Sequence, residues 1–354
     1  MDNPYRHLPN KAFWSRGVSR NFQPGDLYAG ARPLLPQNAR VMSAGSCFAA
    51  NLVPYLEANG FTYVRTEPLS QRLGVAEEAL SYGKFSAAYG NLYTPRQLLQ
   101  LIQRALGRFR PLEDRWRIDG KVIDPFRPGL RYMASSDGEF DALTKSHLAA
   151  VIRAIETCDA FIFTLGLTEA WVSAIDSAVF PACPGTVHGE FDAAKHKFQN
   201  FTAAETTADL IAALRLVRET NPSCRIILTV SPVPLVATAT GGHVLTSTIY
   251  SKSVLRVAAE AATQEVPDCF YFPAYEIVTG PQAPKDFFAE NRRDVTTEAI
   301  ATVMSGFFAC CDVTGAQLNV TQAAEATQAP ASAAQTLVER IAAIECEEAA
   351  ADLF

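Results

Sequence analysis

With 354 residues and 38.4 kDa, the chain has room for one large α/β domain or two ordinary ones, at roughly 100–200 residues per domain. Hydrophobic residues at 48%, charged residues at 19% and a mean hydropathy of +0.03 exclude a disordered or collagen-like chain. A net charge of −6 and a pI near 5.5 leave no global basic field for phosphate backbones, which excludes nucleic acid as an expected partner.

In chain order, 1–24 reads as a polar N-terminal extension without the apolar core of a signal peptide. Short apolar runs rich in β-branched residues recur at 40–44, 62–65, 160–165, 225–231 and 269–272. Helical spacing occupies most of the intervals, at 48–58, 95–106, 140–157, 203–219, 251–264 and 297–307. This alternation predicts an α/β three-layer sandwich around a doubly wound parallel sheet of about five strands. The runs at 160–165 and 225–231 are almost continuously apolar, as central strands buried on both faces should be. Thr94 before Pro95 marks a helix start, and Asn221-Pro222 closes the helix before the fourth strand.

Two stretches break the rhythm: 108–136, with an Asp119-Gly120 turn, and 172–202, rich in Pro, Gly and His. Both are candidate lids or specificity loops beyond strand ends. From 313 to 335 the composition turns to Ala, Gln, Thr and Glu without apolar periodicity, the mark of a linker. In 336–354, Leu337, Ile341 and Ile344 share one face of a short acidic helix. That face either docks on the body, on a protein partner or on a second copy of the chain, or leaves the helix solvated. The expected organisation is therefore a 1–24 extension, a 25–312 α/β domain with the two insertions, the linker and the terminal helix.

No stretch reaches the roughly 20 apolar residues of a membrane span, and the expected location is cytoplasmic. The eight cysteines, at 47, 158, 183, 224, 269, 310, 311 and 346, form no C-x-x-C pair or Cys/His ladder, so neither a disulfide framework nor a metal site is expected. No P-loop or G-x-G-x-x-G occurs, and no cofactor is expected.

The sharpest local feature is VMSAGSCFAANLVPYLEANG, where an apolar strand ends in Gly45-Ser46-Cys47 and passes into a helix. Glycine permits the tight turn, and a helix N-terminus offers N–H groups and a positive dipole end that favour a thiolate. The competing structural reading is a glycine turn with a buried cysteine and a serine N-cap. The string G-S-C-F-A at 45–49 is similar to the signature of the GSCFA family. The likeness continues in YGNLYTP at 89–95, TLGLTEAW at 164–171, TVSPVPL at 229–235, YSKSVLR at 250–256 and YFPAYEI at 271–277.

The resemblance implies a flavodoxin-like sheet of the SGNH (GDSL-type) esterases and acyltransferases. Position by position, it places Cys47 as nucleophile and Ser46 in the slot of the SGNH aspartate, with Ser46 as the second nucleophile candidate. Gly90 and Asn91 stand where the second SGNH block supplies oxyanion donors. Gly166, Thr168 and Glu169 fall in the third block, where Thr168 replaces the usual amide donor. The SGNH Asp-x-x-His is replaced by Asn291 and Asp294, a carboxylate standing where an imidazole is expected. A carboxylate of pKa about 4 is a poor base for a thiol near 8.5. Among five histidines, His7 and His147 fall outside the strand-end loops. His188, His196 and His243 lie within them, and His196 and His243 are the leading candidates for a relocated base. Glu169 is a further base candidate, or a capping carboxylate. Lys252, Arg256, Arg292 and Arg293 read as a solvated basic face or an anion site, and Trp171 and Tyr93 as core or sugar-stacking aromatics. The expected activity is an SGNH-like ester hydrolase or O-acyltransferase on an acetylated carbohydrate or glycoconjugate. The competing reading is a non-catalytic glycan- or protein-binding module.

Overall fold

The computed structural model describes residues 3–28, 30, 32–67, 82–130 and 132–313, with Cys47 and Phe48 described in backbone only. The expected linker beyond Val313 and the 336–354 helix lie outside the described residues. In chain order the elements are α1 (Trp14–Gly17), β1 (Arg40–Gly45), α2 (Cys47–Ala50), α3 (Leu52–Ala58), β2 (Thr62–Tyr63), α4 (Pro95–Ala105), β3 (Trp116–Ile118), β4 (Lys121–Ile123) and α5 (Asp137–Thr157). There follow β5 (Ala160–Leu165), β6 (Glu169–Ser173), β7 (Val179–Phe180), β8 (His196–Asn200), α6 (Ala203–Thr220), β9 (Arg225–Val230), α7 (Val244–Glu265), β10 (Cys269–Tyr271), α8 (Ala274–Thr279) and α9 (Thr297–Ala309).

Side chains alternate across a strand, and here both alternating sets are apolar. Met42, Ala44, Phe161, Phe163, Leu165, Ile226, Leu228 and Val230 face one way, toward helices α4 to α7. Val41, Ala160, Ile162 and Ile227 face the other, toward α3, α8 and α9. The result is a three-layer sandwich around a five-stranded parallel sheet of order β10-β9-β5-β1-β2. Counted along the chain, that order is the flavodoxin-like one, in which the connections leaving the β1/β5 pair run in opposite directions and open a crevice at the strands' carboxyl ends.

Local chemistry sets the helix ends. Thr94 and Gln97 form a reciprocal capping box at α4, and Thr202 with Glu205 does the same at α6. Asn221 does more than end α6: its Nδ2 donates to the carbonyls of Ile155 at 2.7 Å and Cys158 at 2.8 Å, fixing the entry into β5. The helix expected at 48–58 is two pieces, parted at Asn51. Pro54 has no N–H to give to Ala50, so the helical ladder is interrupted there. A four-residue α2 carries less dipole than the uninterrupted helix the sequence predicts.

Both stretches expected as loops contain sheet. Asp119 and Gly120, at φ 48° and 74°, close the β3/β4 hairpin. The second insertion forms an antiparallel sheet of order β7-β6-β8. The two insertions clasp each other: Trp116 stacks on Phe180 at 5.9 Å, and the Leu112 N–H donates to Asp176 at 2.7 Å.

Candidate functional site

Gly45 ends β1 beside Thr164 of β5. Its φ of +142° and its crowding, with a Cβ there falling 2.4 Å from the Thr164 carbonyl oxygen, demand glycine. The chain then turns away through Ser46, which is 4% exposed and whose Oγ has no hydrogen-bond partner among the described residues. Its hydroxyl therefore does not cap α2 as the structural reading of the turn supposed. Cys47 follows in the backbone of α2.

Two other sequence blocks meet this edge. The Leu92 N–H donates to the Gly45 carbonyl at 2.8 Å, and the Tyr89 hydroxyl donates to the Ser43 carbonyl, so the segment holding Gly90 and Asn91 is laced along the end of β1. Gly90 takes φ +68°, a left-handed turn that its missing Cβ makes cheap. Asn91 is 5% exposed. The N–H groups of Gly166 and Leu167, just past β5, both donate to the Tyr93 carbonyl at 2.9 Å. Gly166 is needed for that approach, since a Cβ there meets Tyr93 O at 3.2 Å.

The third block is committed to internal bonds. The Gly166 carbonyl accepts from Lys252 Nζ at 2.7 Å. Thr168 donates its N–H to Ser251 Oγ at 3.0 Å and its hydroxyl to Asn200 Oδ1 at 2.7 Å. In this arrangement neither N–H faces an oxyanion, and Thr168 is a strut between β5 and the β6/β8 sheet. Lys252 is buried, not part of a solvated basic face. Within the YSKSVLR motif, Ser251 and Lys252 thus brace the strand-end loop, a role the sequence reading did not assign to them.

His196 lies in β8, not in a loop. Its Nδ1 accepts from the Asp192 N–H at 3.1 Å, its Nε2 faces Glu113 Oε2 at 3.1 Å, and its ring packs edge-on against Phe180. Both ring nitrogens are therefore occupied, Nδ1 within its own insertion and Nε2 in clasping the two together. His243 is the N-cap of α7, its Nδ1 accepting from the Leu245 N–H at 3.1 Å. Asn291 and Asp294 are exposed and bond to each other, Nδ2 to Oδ2, at 2.7 Å. Glu169 opens β6, and its carboxylate accepts from Thr238 Oγ1 at 2.8 and 3.0 Å; burial raises its pKa against those bonds.

Sequence reasoning missed one cluster altogether. Asp124, Arg127 and His147 are buried, and the Glu67 side chain beside them is 9% exposed. Glu67 Oε2 accepts from the Ala88 N–H at 2.8 Å and meets His147 Nδ1 at 2.7 Å, while Arg127 binds Asp124 at 2.8 Å and reaches Glu67 at 3.4 Å. This network holds the start of the Gly90–Asn91 segment. His147 Nε2 has no partner among the described residues, and the ring lines a cavity of about 20 Å³, room for one water, with Tyr89, Leu92, Gln97, Arg104 and Arg127. Burial pushes the Glu67 pKa up, but His147 and Arg127 outweigh it and the net shift is downward. Burial and then Arg127 pull the His147 pKa down against Glu67. The pair is therefore a carboxylate accepting from a neutral imidazole. No local pattern signalled it, because its members come from three separate segments, around 67, 124–127 and 147.

No group of three or more metal-ligating side chains occurs among the described residues, and no described helix is long and apolar enough to cross a membrane. Neither the curated proteins nor the solved structures give a significant match. The family model described as the GSCFA family matches residues 40–307, a span that takes in β1, the Gly90–Asn91 segment, the strand-end loops and most of α9, and the chain belongs to that family.

Proposed function

We propose that this chain is an SGNH-like acyl-transfer enzyme, an ester hydrolase or O-acyltransferase acting on an acetylated carbohydrate or glycoconjugate. The observation that carries the reading is Gly45-Ser46 leaving a central strand at the switch-point crevice, with a buried, unpartnered Ser46 hydroxyl beside the Gly90–Asn91 segment. Cys47 or Ser46 attacks the ester carbonyl, and Gly90 and Asn91 donate to the oxyanion. Collapse breaks the acyl C–O bond, and the departing alkoxide leaves as the alcohol with the nucleophile's proton. Water or a sugar hydroxyl then attacks the acyl-enzyme, returns a proton to the nucleophile and releases the acid or the new ester.

The hydrogen bonds of His196 and the mutual bonding of Asn291 and Asp294 favour a site with weak base catalysis, slow on simple esters. They are also what favours the second reading, a glycan- or protein-binding module that has lost the Asp-x-x-His. The test is release of alcohol from an activated acetyl ester with and without sugar acceptors. Enzyme-dependent release lost in a folded Ser46→Ala or Cys47→Ala variant supports the first reading. No release by native protein that still binds acetylated glycan supports the second.

A further inference from the structure

A groove of about 340 Å³ opens beyond β5, between β6 and the loop that follows β9. Its volume falls in the range of small-molecule sites, roughly 300–1,000 Å³. Most of its wall is apolar, including Leu167, Ala182, Leu235 and Val236, with the rings of Trp171 and Phe198. The ionisable side chains on it are Glu169 and Cys183. Burial pushes the Cys183 thiol up to about 11, so it is neutral near pH 7. Glu169 then supplies the charge, and among the described residues neither Lys, Arg nor His lines the wall.

We propose that this groove binds a small aromatic or branched apolar compound carrying an ammonium head, the head meeting Glu169 and the body lying against Trp171 and Phe198. Charge complementarity selects the head. A half-buried carboxylate with Thr238 as its side-chain donor has room for further donors. An ammonium fills that need and is attracted to aromatic rings as well. A hydroxyl meets only the first requirement, and an anion is repelled. The inference goes beyond the acyl-transfer reading and does not depend on it: binding is measured without turnover, so either can fail alone.

The probes are 2-phenylethylamine, 2-phenylethanol and 3-phenylpropionate, which share one body and differ in the head. Titrated calorimetrically into the full chain, the amine is expected to bind at least about tenfold more tightly than the carboxylate, with the alcohol between. Glu169→Gln is expected to lose about tenfold or more of the amine affinity and to level the three probes. Ala182→Phe, which fills the groove from a half-buried wall position, is expected to abolish binding, with circular dichroism reporting the fold. Lowering the pH through the Glu169 titration weakens the amine alone. Equal affinity for amine and carboxylate, an amine affinity unchanged by Glu169→Gln, binding that survives Ala182→Phe, or no saturable binding of any probe would each overturn the proposal.

Discussion

Glu67→Gln keeps the shape of the side chain and removes one charge from a buried set in which two carboxylates, Glu67 and Asp124, balance two guanidiniums, Arg104 and Arg127. His147 is neutral in this set, so the substitution leaves an unmatched buried cation. Breaking a buried pair from one side costs about 3–5 kcal/mol. At about 2–4 °C per kcal/mol, that lowers the melting temperature by roughly 6–20 °C. Urea unfolding from pH 8 to 4 is the assay. Glu67 titrates lower when folded, so its contribution is present above its ordinary pKa and disappears as pH falls through the folded value. His147 also titrates lower when folded, so the unfolded chain takes up its proton first and stability drops as pH falls below 6.5. Native protein should therefore lose stability in two stages. The gap to Glu67→Gln should begin to narrow only as pH falls below about 4.5, the ordinary Glu67 value, and should stay open above it. A variant within about 1 kcal/mol of native protein at pH 7.5, or a gap that does not change with pH, would refute this account of the cluster.

Gly45→Ala sets a Cβ against the β5 backbone in a left-handed conformation, and should cost about 2–4 kcal/mol in thermal or urea unfolding; native-like stability would contradict the geometry. Asn91→Ala should remove about 3–4 kcal/mol of transition-state stabilisation, read as acylation slowed a hundredfold or more, and unchanged kinetics would take its side chain out of the oxyanion site. His196→Asn should lower stability by about 1–3 kcal/mol as the bonds to Asp192 and Glu113 are lost, while a folded variant still acylates. A folded His196→Asn protein that no longer acylates would restore His196 as the base.

How much of this was legible in the sequence follows from how local each signal is. The five sheet strands sit within a residue or two of their apolar runs, and in β1, β5 and β9 burial on both faces leaves a nearly continuous apolar string. The cap at Thr94 and the turn at Asp119-Gly120 depend on residues close in sequence. Helix α7 begins at Val244, not near 251, because Leu245 and Ile249 are exposed and blur its apolar period. Strand β8 reads His-Lys-Phe-Gln-Asn, too polar to stand out, and its place is fixed by pairing with β6. At the site, Gly45-Ser46-Cys47 was visible as a glycine turn between strand and helix, whereas Gly90-Asn91 was visible through the family resemblance alone. The Glu67–His147 pair was not, since side chains 80 residues apart leave no mark on either local pattern.

Acyl transfer by the proposed route requires residue 46 or 47 to carry an acyl group. Intact mass spectrometry after brief incubation with an activated acetyl ester reads this directly, on native protein, Ser46→Ala and Cys47→Ala, each checked for fold. One acetyl is expected on native protein, retained in one variant and absent from the other. Native protein that gains no acetyl, or an acetyl retained in both variants, would contradict it.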